Sequence, residues 1–334
     1  MTAGEPGNLS PGGGAGNAIE VAIVQQPHVD SAGFMHSALF YRGDREYLDA
    51  VVPFILDGLR SSEPVLVAVP TGHLSLLRDG LGDACADVTM ADMADVGRNP
   101  ARAMGVMATF ADRNRDRRVR IVGEPVWPGR SADEYPGCVE NEALCNALFA
   151  DREAAALCPY DARGLGENAL ADARSTHPLL WRGGTTESNA DYAPDEALAR
   201  YNQPLPSDTM AVTYTVRELA DLSPARSFAA RYAQWLGLSP EGIASLQLIA
   251  TELATNSLQH TGGVCRLAFW QHNGHIVCEA GDAGRLEDPL AGRRPPAADA
   301  LTGRGLFLVN TVADLVRTHA TATGTTIQAY FRLG

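Results

Sequence analysis

The spacing of apolar residues predicts alternating strands and helices between residues 35 and 180. Short apolar runs such as PVLVAVP and VRIVGEP alternate with stretches such as REYLDAVVPFILDGL, in which apolar positions recur every three or four residues. A short continuous apolar run is typical of a strand buried on both faces, and the wider spacing is typical of a helix packed on one side. This β-α-β-α order predicts an α/β domain, with a parallel sheet covered by helices.

The pattern changes after residue 210. MAVTYTV is strand-like, and it is followed by two helical stretches, LSPARSFAARYAQWLGL and LSPEGIASLQLIATELATNSLQH. The next segment alternates on both sides of Asn273-Gly274, a dipeptide preferred in the type I′ turn of a hairpin. A helix entered at GRGLFLVNTVADLVRTH and a strand in GTTIQAYFRL complete the pattern. Antiparallel strands with helices on one side predict an α+β sandwich.

Local composition suggests the domain boundaries. We expect residues 1–30, which are rich in glycine, to form a disordered tail. The first domain is expected over residues 31–185 and the second over residues 210–334. Residues 186–209 are polar and contain proline and glycine, which is typical of a linker.

Polar residues follow the strands of the predicted parallel sheet, where ligands of such sheets gather. Thr71 and His73 are among them. We expect a sensory pocket, because no nucleophile and base are paired in this row. The residues proposed to line this pocket are His36, Tyr41, Asp44, Glu124, Trp127, Tyr160, Asp161 and His177.

The composition excludes several classes of protein. A net charge of -13 argues against binding to nucleic acid or to an anionic membrane. No apolar run approaches the roughly 18–20 residues of a membrane span, and the N-terminal residues do not resemble a signal peptide, so we expect a cytoplasmic protein. The six cysteines have no C-x-x-C spacing, which predicts buried thiols with neither a zinc site nor a disulfide framework.

All 27 basic residues are arginine, and the chain contains no lysine. A Walker A loop places a lysine on the phosphates, so phosphate binding of that kind is excluded. Schiff-base chemistry is excluded for the same reason.

One predicted helix carries a row of polar residues, Glu252, Asn256 and His260. Residues four apart lie on one narrow stripe of a helix, so these side chains can face a common ligand. A carboxamide oxygen suits Mg²⁺, and a carboxylate one turn earlier can accept a proton from an attacking hydroxyl. A solvated helix face would give the same spacing.

Three further motifs follow in order along the chain. Asp282 and Gly284 lie at a strand end, where a carboxylate can bind an exocyclic amine. The sequence Gly303-Arg304-Gly305-Leu306 begins a helix, where backbone N–H groups can hold phosphates without a lysine. Thr325 and Thr326 precede the last strand and offer hydroxyl groups. The four motifs together predict a nucleotide site.

With these motifs the second half resembles the GHKL (Bergerat-fold) ATPases, in particular their anti-sigma-factor serine kinases. ELATNSLQH resembles the N-box, DAG and GRGL the two glycine boxes, and GTT the terminal threonine motif. The resemblance implies ATP and Mg²⁺ as cofactors, with Glu252 as the catalytic base and Asn256 as the Mg²⁺ ligand. It also implies that Asp282 binds the adenine amine. The residues implied to line the nucleotide are Asn256, His260, Asp282, Gly284, Gly303, Arg304, Gly305, Leu306, Thr325 and Thr326.

The match departs from the family in one position. The first glycine box usually runs D-x-G-x-G, and Leu286 replaces its last glycine. This change affects the loop that borders the nucleotide.

The first half resembles the MEDS sensory domain, a RecA-like module that precedes regulators and kinases. The segments HSALFYRGDREYLDAVVPFILDGL, ADMADVGRNPARAM, GEPVW and LCPYD carry this resemblance. It implies a sensor of an unknown small ligand.

The leading hypothesis is a cytoplasmic switch in which the sensor controls a serine/threonine kinase. The resemblance implies a sigma factor or an anti-anti-sigma (STAS-type) protein as partner, and homodimerisation. A non-catalytic, ATP-gated binding protein remains an alternative because of Leu286. A sensor histidine kinase is less favoured, because residues 195–238 contain no histidine. A metabolic enzyme is disfavoured by the lack of a nucleophile–base pair.

Overall fold

The computed structural model describes residues 33–261, 263–296 and 303–334. The expected tail, residues 1–30, lies outside this part of the chain. Helices and strands alternate in the first domain. Their bounds are β1 Phe34–Tyr41, α1 Asp44–Arg60, β2 Val65–Val69, α2 Thr71–Leu81, β3 Val88–Asp92, α3 Met93–Val96, α4 Pro100–Arg113, β4 Val119–Gly123, α5 Tyr135–Leu148, β5 Ala154–Asp161, α6 Glu167–Thr176, β6 Leu179–Arg182, β7 Thr185–Ser188 and α7 Pro194–Tyr201.

The first sheet has the strand order β3-β2-β4-β5-β1-β6-β7 among the described residues. All neighbours pair in parallel except the edge hairpin of β6 and β7. Strand β2 is buried along its whole length, as its continuous apolar sequence predicts. The α/β architecture expected for this half is therefore confirmed.

The second domain contains an antiparallel sheet with helices packed on one face. Its elements are β8 Val212–Val216, α8 Leu222–Trp235, α9 Pro240–Thr261, β9 Cys265–His272, β10 His275–Asp282, α10 Arg304–Val312, β11 Leu315–Thr321 and β12 Gly324–Arg332. The strand order is β11-β12-β10-β9-β8. Asn273 and Gly274 join β9 to β10 with φ of 47° and 75°, so the hairpin predicted at this dipeptide is confirmed.

Three strands were not anticipated. β6 and β7 form a hairpin after the last strand expected in the first half. The segment expected to continue as a helix after Val312 instead turns at Ala313 and becomes β11, which pairs with β12. The predicted linker, residues 186–209, contains α7, whose Ala197 is buried against α5.

The core of the second domain lies between its sheet and its helices. Leu246, Ile249 and Leu253 on α9 pack against Phe269 on β9 and Ile276 on β10. These helix residues are spaced by three and four positions, so a single stripe of α9 is buried. The neighbouring stripe remains available for polar side chains.

Contacts between the two halves include the described part of the loop between β10 and α10, together with α10 itself. Leu290 of this loop is 4% exposed and belongs to the core cluster of the first domain, with Met104 and Leu144. Asn99 donates a hydrogen bond to the carbonyl of Asn310 on α10, at 2.7 Å. The loop is therefore held by both halves of the chain.

Among the described residues, no helix is both long and apolar enough to span a membrane.

Candidate nucleotide-binding site

Helix α9 presents its polar row beside the buried stripe. Glu252 and Asn256 are half-buried, whereas His260, near the helix end, is exposed. The helix begins with Pro240, and Ser239 accepts a hydrogen bond from the Gly242 N–H, as expected for an N-cap. Of the row predicted from the i, i+4 spacing, Glu252 and Asn256 therefore lie at the site.

The start of α10 lies directly against Glu252 and Asn256. A Cβ placed on Gly305 would lie 2.8 Å from Glu252 Oε2 and 3.1 Å from both terminal atoms of Asn256. A larger residue at this position would force the ends of these two side chains to move. Gly303 precedes the helix with φ of 83°, a conformation that favours glycine. The N-terminal N–H groups of α10 therefore border the two polar side chains of α9.

Asp282, at the end of β10, is held by two hydrogen bonds. Ser257 donates its hydroxyl to Asp282 Oδ2 at 2.5 Å, and the Gly284 N–H donates to Oδ1 at 2.8 Å. A Cβ on Gly284 would collide with the methyl group of Thr261, so this turn also needs glycine. The carboxylate is thereby fixed in orientation beside α9.

The first residues of β12 border the same region. Thr325 pairs with Asp282 in the sheet, and its hydroxyl donates to the Gly284 carbonyl at 2.8 Å. The Leu286 N–H donates to Thr325 Oγ1 at 3.2 Å, so the altered position of the glycine box is tied to the threonine motif through its backbone. Thr326 pairs with Gly281.

The structure thus brings the four sequence motifs together at one end of the second domain. Leu306 lies against Gly292 of the β10–α10 loop, and Arg304 is exposed at the start of α10. Sequence reasoning missed Ser257 and Thr261, which contact the Asp282 turn. Both lie one residue after a member of the predicted row, and their own i, i+4 spacing was the available signal.

The residues present fit a magnesium nucleotide. Asn256 Nδ2 is buried and has no hydrogen-bond partner within the part of the chain described, which marks an unmet polar group at the centre of the site. Its oxygen is of the type that Mg²⁺ prefers. The close glycine turn at Gly305 adds backbone donors at a helix N-terminus, the usual place for phosphate groups.

A second polar site lies at the carboxyl ends of the first sheet. An open pocket of about 270 Å³ is bordered there by Tyr41, Asp44, Glu124, Trp127 and Asp161, all of them predicted pocket residues. His73 also lines it. Parallel strands end at this edge, which explains why residues distant in sequence meet.

Glu124 is the most buried acidic group of this pocket, with no exposed surface. Tyr41 donates its hydroxyl to Oε1 at 3.1 Å, and His73 Nδ1 lies 2.6 Å from Oε2. Burial raises the pKa of Glu124, an effect larger than the opposing hydrogen bonds from His73 and Tyr41. Burial lowers the pKa of His73, but the hydrogen bond and charge of Glu124 together raise it above its usual value.

Family models match both halves of the chain. The model described as the methanogen/methylotroph DcmR sensory domain, MEDS, matches residues 35–178, and the model of the histidine kinase-like ATPase domain matches residues 215–331. The chain carries a MEDS domain followed by a histidine kinase-like ATPase domain. The resemblance of the first half to the MEDS domain and that of the second half to ATPases of this kind are confirmed, and the presence of the ATPase domain implies ATP binding.

Two solved structures share weak similarity with this chain. One contains the RsbU and RsbW domains of a Mycobacterium tuberculosis protein, at 16% identity and a TM-score of 0.28, covering 36% of this chain and 32% of that one. The other is the SiaB–SiaC complex of Pseudomonas aeruginosa, at 12% identity and a TM-score of 0.29, covering 36% of this chain and 88% of that one. The chain therefore spans about a third of the first structure. No curated protein matches it.

Three residues expected in the open pocket lie elsewhere in the MEDS domain. His36, Tyr160 and His177 are at most 1% exposed, and they cluster beneath α5 and α6. His36 is the third residue of β1 and so lies far from the carboxyl end of the strand. Glu142 and Cys158 join this cluster, and the sequence pattern had marked neither as a site residue.

Proposed function

We propose that the chain is an ATP- and Mg²⁺-dependent regulator of the anti-sigma-factor type, a protein serine/threonine kinase controlled by its MEDS domain. The close approach of Gly305 to Glu252 and Asn256 carries this proposal. A helix N-terminus, a carboxylate and a carboxamide whose Nδ2 has no hydrogen-bond partner in the described part of the chain meet there. This combination suits phosphoryl transfer, which depends mainly on positioning and on charge stabilisation.

Each site residue has a distinct proposed role. Asn256 would hold Mg²⁺ through its oxygen, and Asp282 would bind the amine of adenine. Glu252 would accept the proton of the attacking hydroxyl group. When bound, MgATP would supply the phosphoryl group that is transferred. The other contacts proposed for the nucleotide are those of His260, Gly284, Gly303, Arg304, Gly305, Leu306, Thr325 and Thr326.

The proposed acceptor is a serine or threonine of an anti-anti-sigma (STAS-type) partner, with a sigma factor as the protein that is sequestered. The resemblance to the anti-sigma-factor kinases supports this part of the proposal, as it does homodimerisation. The net charge of the chain, -13, is consistent with a protein partner rather than a nucleic acid.

The open pocket of the MEDS domain is the proposed sensory site. Its buried Glu124 and the aromatic ring of Trp127 would bind a small ligand that carries a hydrogen-bond donor. Asn99, which precedes α4, donates a hydrogen bond to Asn310 on α10. Leu290, in the loop that borders the nucleotide, packs into the core formed by α4 and α5. A ligand that shifts either helix would therefore change the loop.

Glu252→Gln provides the decisive experiment. We expect the variant to bind a fluorescent ATP analogue in a Mg²⁺-dependent manner, as the wild type does, and to lose phosphate transfer to a STAS-type protein. Gln259→Ala, at an exposed position of the same helix, is the control and should retain transfer. Equal transfer by Glu252→Gln and wild type would refute the assigned base.

Two other outcomes separate the alternatives. ATP binding by the wild type without phosphate transfer would favour the ATP-gated binding protein. Failure to bind ATP at all, with or without Mg²⁺, would refute the proposed function as a whole.

A further inference from the structure

Four chemically reactive side chains meet in the interior of the MEDS domain, away from both sites described above. His36, Glu142, Cys158 and His177 are all buried, and their ligand atoms lie within 4.8 Å of one another. His36 comes from β1, Cys158 from β5, and Glu142 from α5, while His177 directly follows α6. The cluster thus joins the sheet to the helices that cover it.

The distances within the cluster suit a single ion. Glu142 Oε2 lies 2.9 Å from His177 Nε2 and 3.2 Å from His36 Nε2, and Cys158 Sγ lies 3.4 Å from His36 Nε2. A tetrahedral zinc ion, with bonds of about 2.0–2.3 Å, holds its ligand atoms about 3.2–3.7 Å apart. The remaining pairs lie within 4.8 Å, so the widest of them must close by about 1 Å to bring all four atoms to bonding distance from one centre.

The protonation of His177 favours an ion over a simple hydrogen-bond network. Its Nδ1 lies 2.7 Å from the carbonyl oxygen of Ala173, which can only accept, so Nδ1 carries a proton. In the neutral ring Nε2 then holds a lone pair. That atom is buried, and within the described chain it has no hydrogen-bond partner.

The direction of His177 Nε2 supports the same interpretation. The atom approaches Glu142 Oε2 to 2.9 Å without forming a hydrogen bond, so the carboxylate lies off the axis of an N–H bond. Two ligands of one ion show this geometry, because the lone pair of each points to the ion and not to the other ligand. The Ala173 carbonyl then acts as the outer partner that fixes the ring of a metal-bound histidine.

We propose that His36, Glu142, Cys158 and His177 form a structural site for a divalent cation of the zinc type. Two imidazoles, a thiolate and a carboxylate are a donor set that suits Zn²⁺. Four protein ligands leave no open position, so the site is structural and not catalytic. The motif escapes cysteine-spacing rules because its successive ligands are 106, 16 and 19 residues apart along the chain.

Binding has a defined proton balance. Cys158 coordinates as a thiolate and releases its proton to solvent, so the charges of thiolate, carboxylate and M²⁺ sum to zero. His36 Nδ1 lies 3.3 Å from the Asn146 carboxamide. Coordination through Nε2 keeps the ring proton on Nδ1. A flip of the Asn146 carboxamide, which gives up its 3.4 Å hydrogen bond to the Thr176 carbonyl, lets its oxygen accept a hydrogen bond from that N–H.

Refolding is the appropriate test, because the ligands are buried and the ion must enter before the helices close. The full chain is stripped of metal in urea with a chelator, and it is then refolded with Zn²⁺ or with Co²⁺. We expect one Zn²⁺ per chain after gel filtration, a higher melting temperature, and the near-ultraviolet band of a thiolate bound to Co²⁺. These measurements need no variant.

Variants then assign the ligands. Cys158→Ser and His177→Gln should lower Zn²⁺ affinity at least about 100-fold, beyond the loss usual for outer partners of a metal. Cys138→Ser, a buried cysteine of α5 outside the cluster, should bind Zn²⁺ as the wild type does. Folded wild type that takes up no Zn²⁺ and shows no thiolate–Co²⁺ band would overturn the proposal. Uptake unchanged in both ligand variants would also overturn it.

Discussion

Arg293 of the ATPase domain forms an ion pair with Glu140 of the MEDS domain, with 3.1 Å between Nη2 and Oε2. The same guanidinium donates to Asn141 Oδ1 at 3.1 Å. Both partners lie on α5, and Arg293 lies in the loop that leads to the glycine turn of the nucleotide site. This contact is therefore a direct physical connection between the MEDS domain and the ATPase domain of the chain.

Removal of this contact should destabilise the chain. Arg293→Ala leaves Glu140 and Asn141 without their partner in a mostly buried position. Hydrogen bonds to charged groups are worth about 1.5–3 kcal/mol each, so we expect the free energy of unfolding to fall by at least that amount. Urea titration followed by circular dichroism measures the change.

Arg294→Ala is the matched control, since its neighbouring side chain is exposed. A surface substitution of this kind should stay within about 0.5 kcal/mol. Equal effects of the two variants would contradict the coupling assigned to Arg293.

Leu290 should contribute to the stability of both domains. Its side chain is 4% exposed in the core of the MEDS domain, although it belongs to the loop of the ATPase domain. Leu290→Ala should cost about 2–5 kcal/mol, because it leaves a cavity in that core. Leu308→Ala, at a position that is 37% exposed on α10, should cost far less. A small loss for Leu290→Ala, measured by thermal unfolding, would argue against this packing.

Gly305→Ala should impair nucleotide binding. The new Cβ would lie 2.8 Å from Glu252 Oε2, so either the helix start or the carboxylate must move. We expect the Kd for the fluorescent ATP analogue to rise at least about tenfold, a loss of about 1.4 kcal/mol. Gly166→Ala, where a Cβ meets no atom within 4 Å, is the control. Unchanged affinity of Gly305→Ala would show that the turn does not border the nucleotide.

The His73–Glu124 pair should make stability fall as the pH rises. The pKa values of His73 and Glu124 are both raised in the folded chain. Between about pH 4.5 and these raised pKa values, the folded state therefore binds more protons than the unfolded state. The stabilisation from His73 is complete below its unfolded pKa of about 6.5 and is lost as the pH rises through its folded pKa. Each group changes the free energy of unfolding by at most about 1.4 kcal/mol per pH unit.

His73→Gln should flatten this dependence. As the pH is raised from about 6 to about 9, we expect the urea midpoint of the wild type to decrease relative to that of the variant. Glu124→Gln removes the charge that raises the pKa of His73, and it should flatten the slope as well. Parallel curves for the wild type and both variants would contradict the raised pKa values.

Local signals in the sequence predicted much of the fold and of the nucleotide site. Asn273-Gly274 specifies its turn through the backbone preferences of two residues, and the i, i+4 row placed Glu252 and Asn256 on one helix face. The resemblance of the ordered motifs to the GHKL boxes implied that Asp282 and Gly305 lie beside them. The turn and the helix row depend on neighbours in the chain, which is why the sequence alone reveals them.

Features that depend on distant contacts were missed. Strand β11 follows a helix after only two residues, and its pairing with β12 outweighs the helical pattern that precedes it. His36 and His177 were assigned to the sensory pocket because both lie near predicted strands whose ends line it. Their burial with Glu142 results from how α5 and α6 cover the sheet, and no local pattern encodes that packing.

The position of Leu290 limits how such proteins can diversify. A loop of the ATPase domain packs into the core of the MEDS domain. The two domains therefore cannot be exchanged simply by cutting the chain between them. In a chimera in which another sensor replaces residues 33–209, Leu290 would face a foreign surface. It would lose the core of the MEDS domain that now surrounds its side chain. New input specificities would therefore arise by altering the sensor in place, or by transferring the loop together with it.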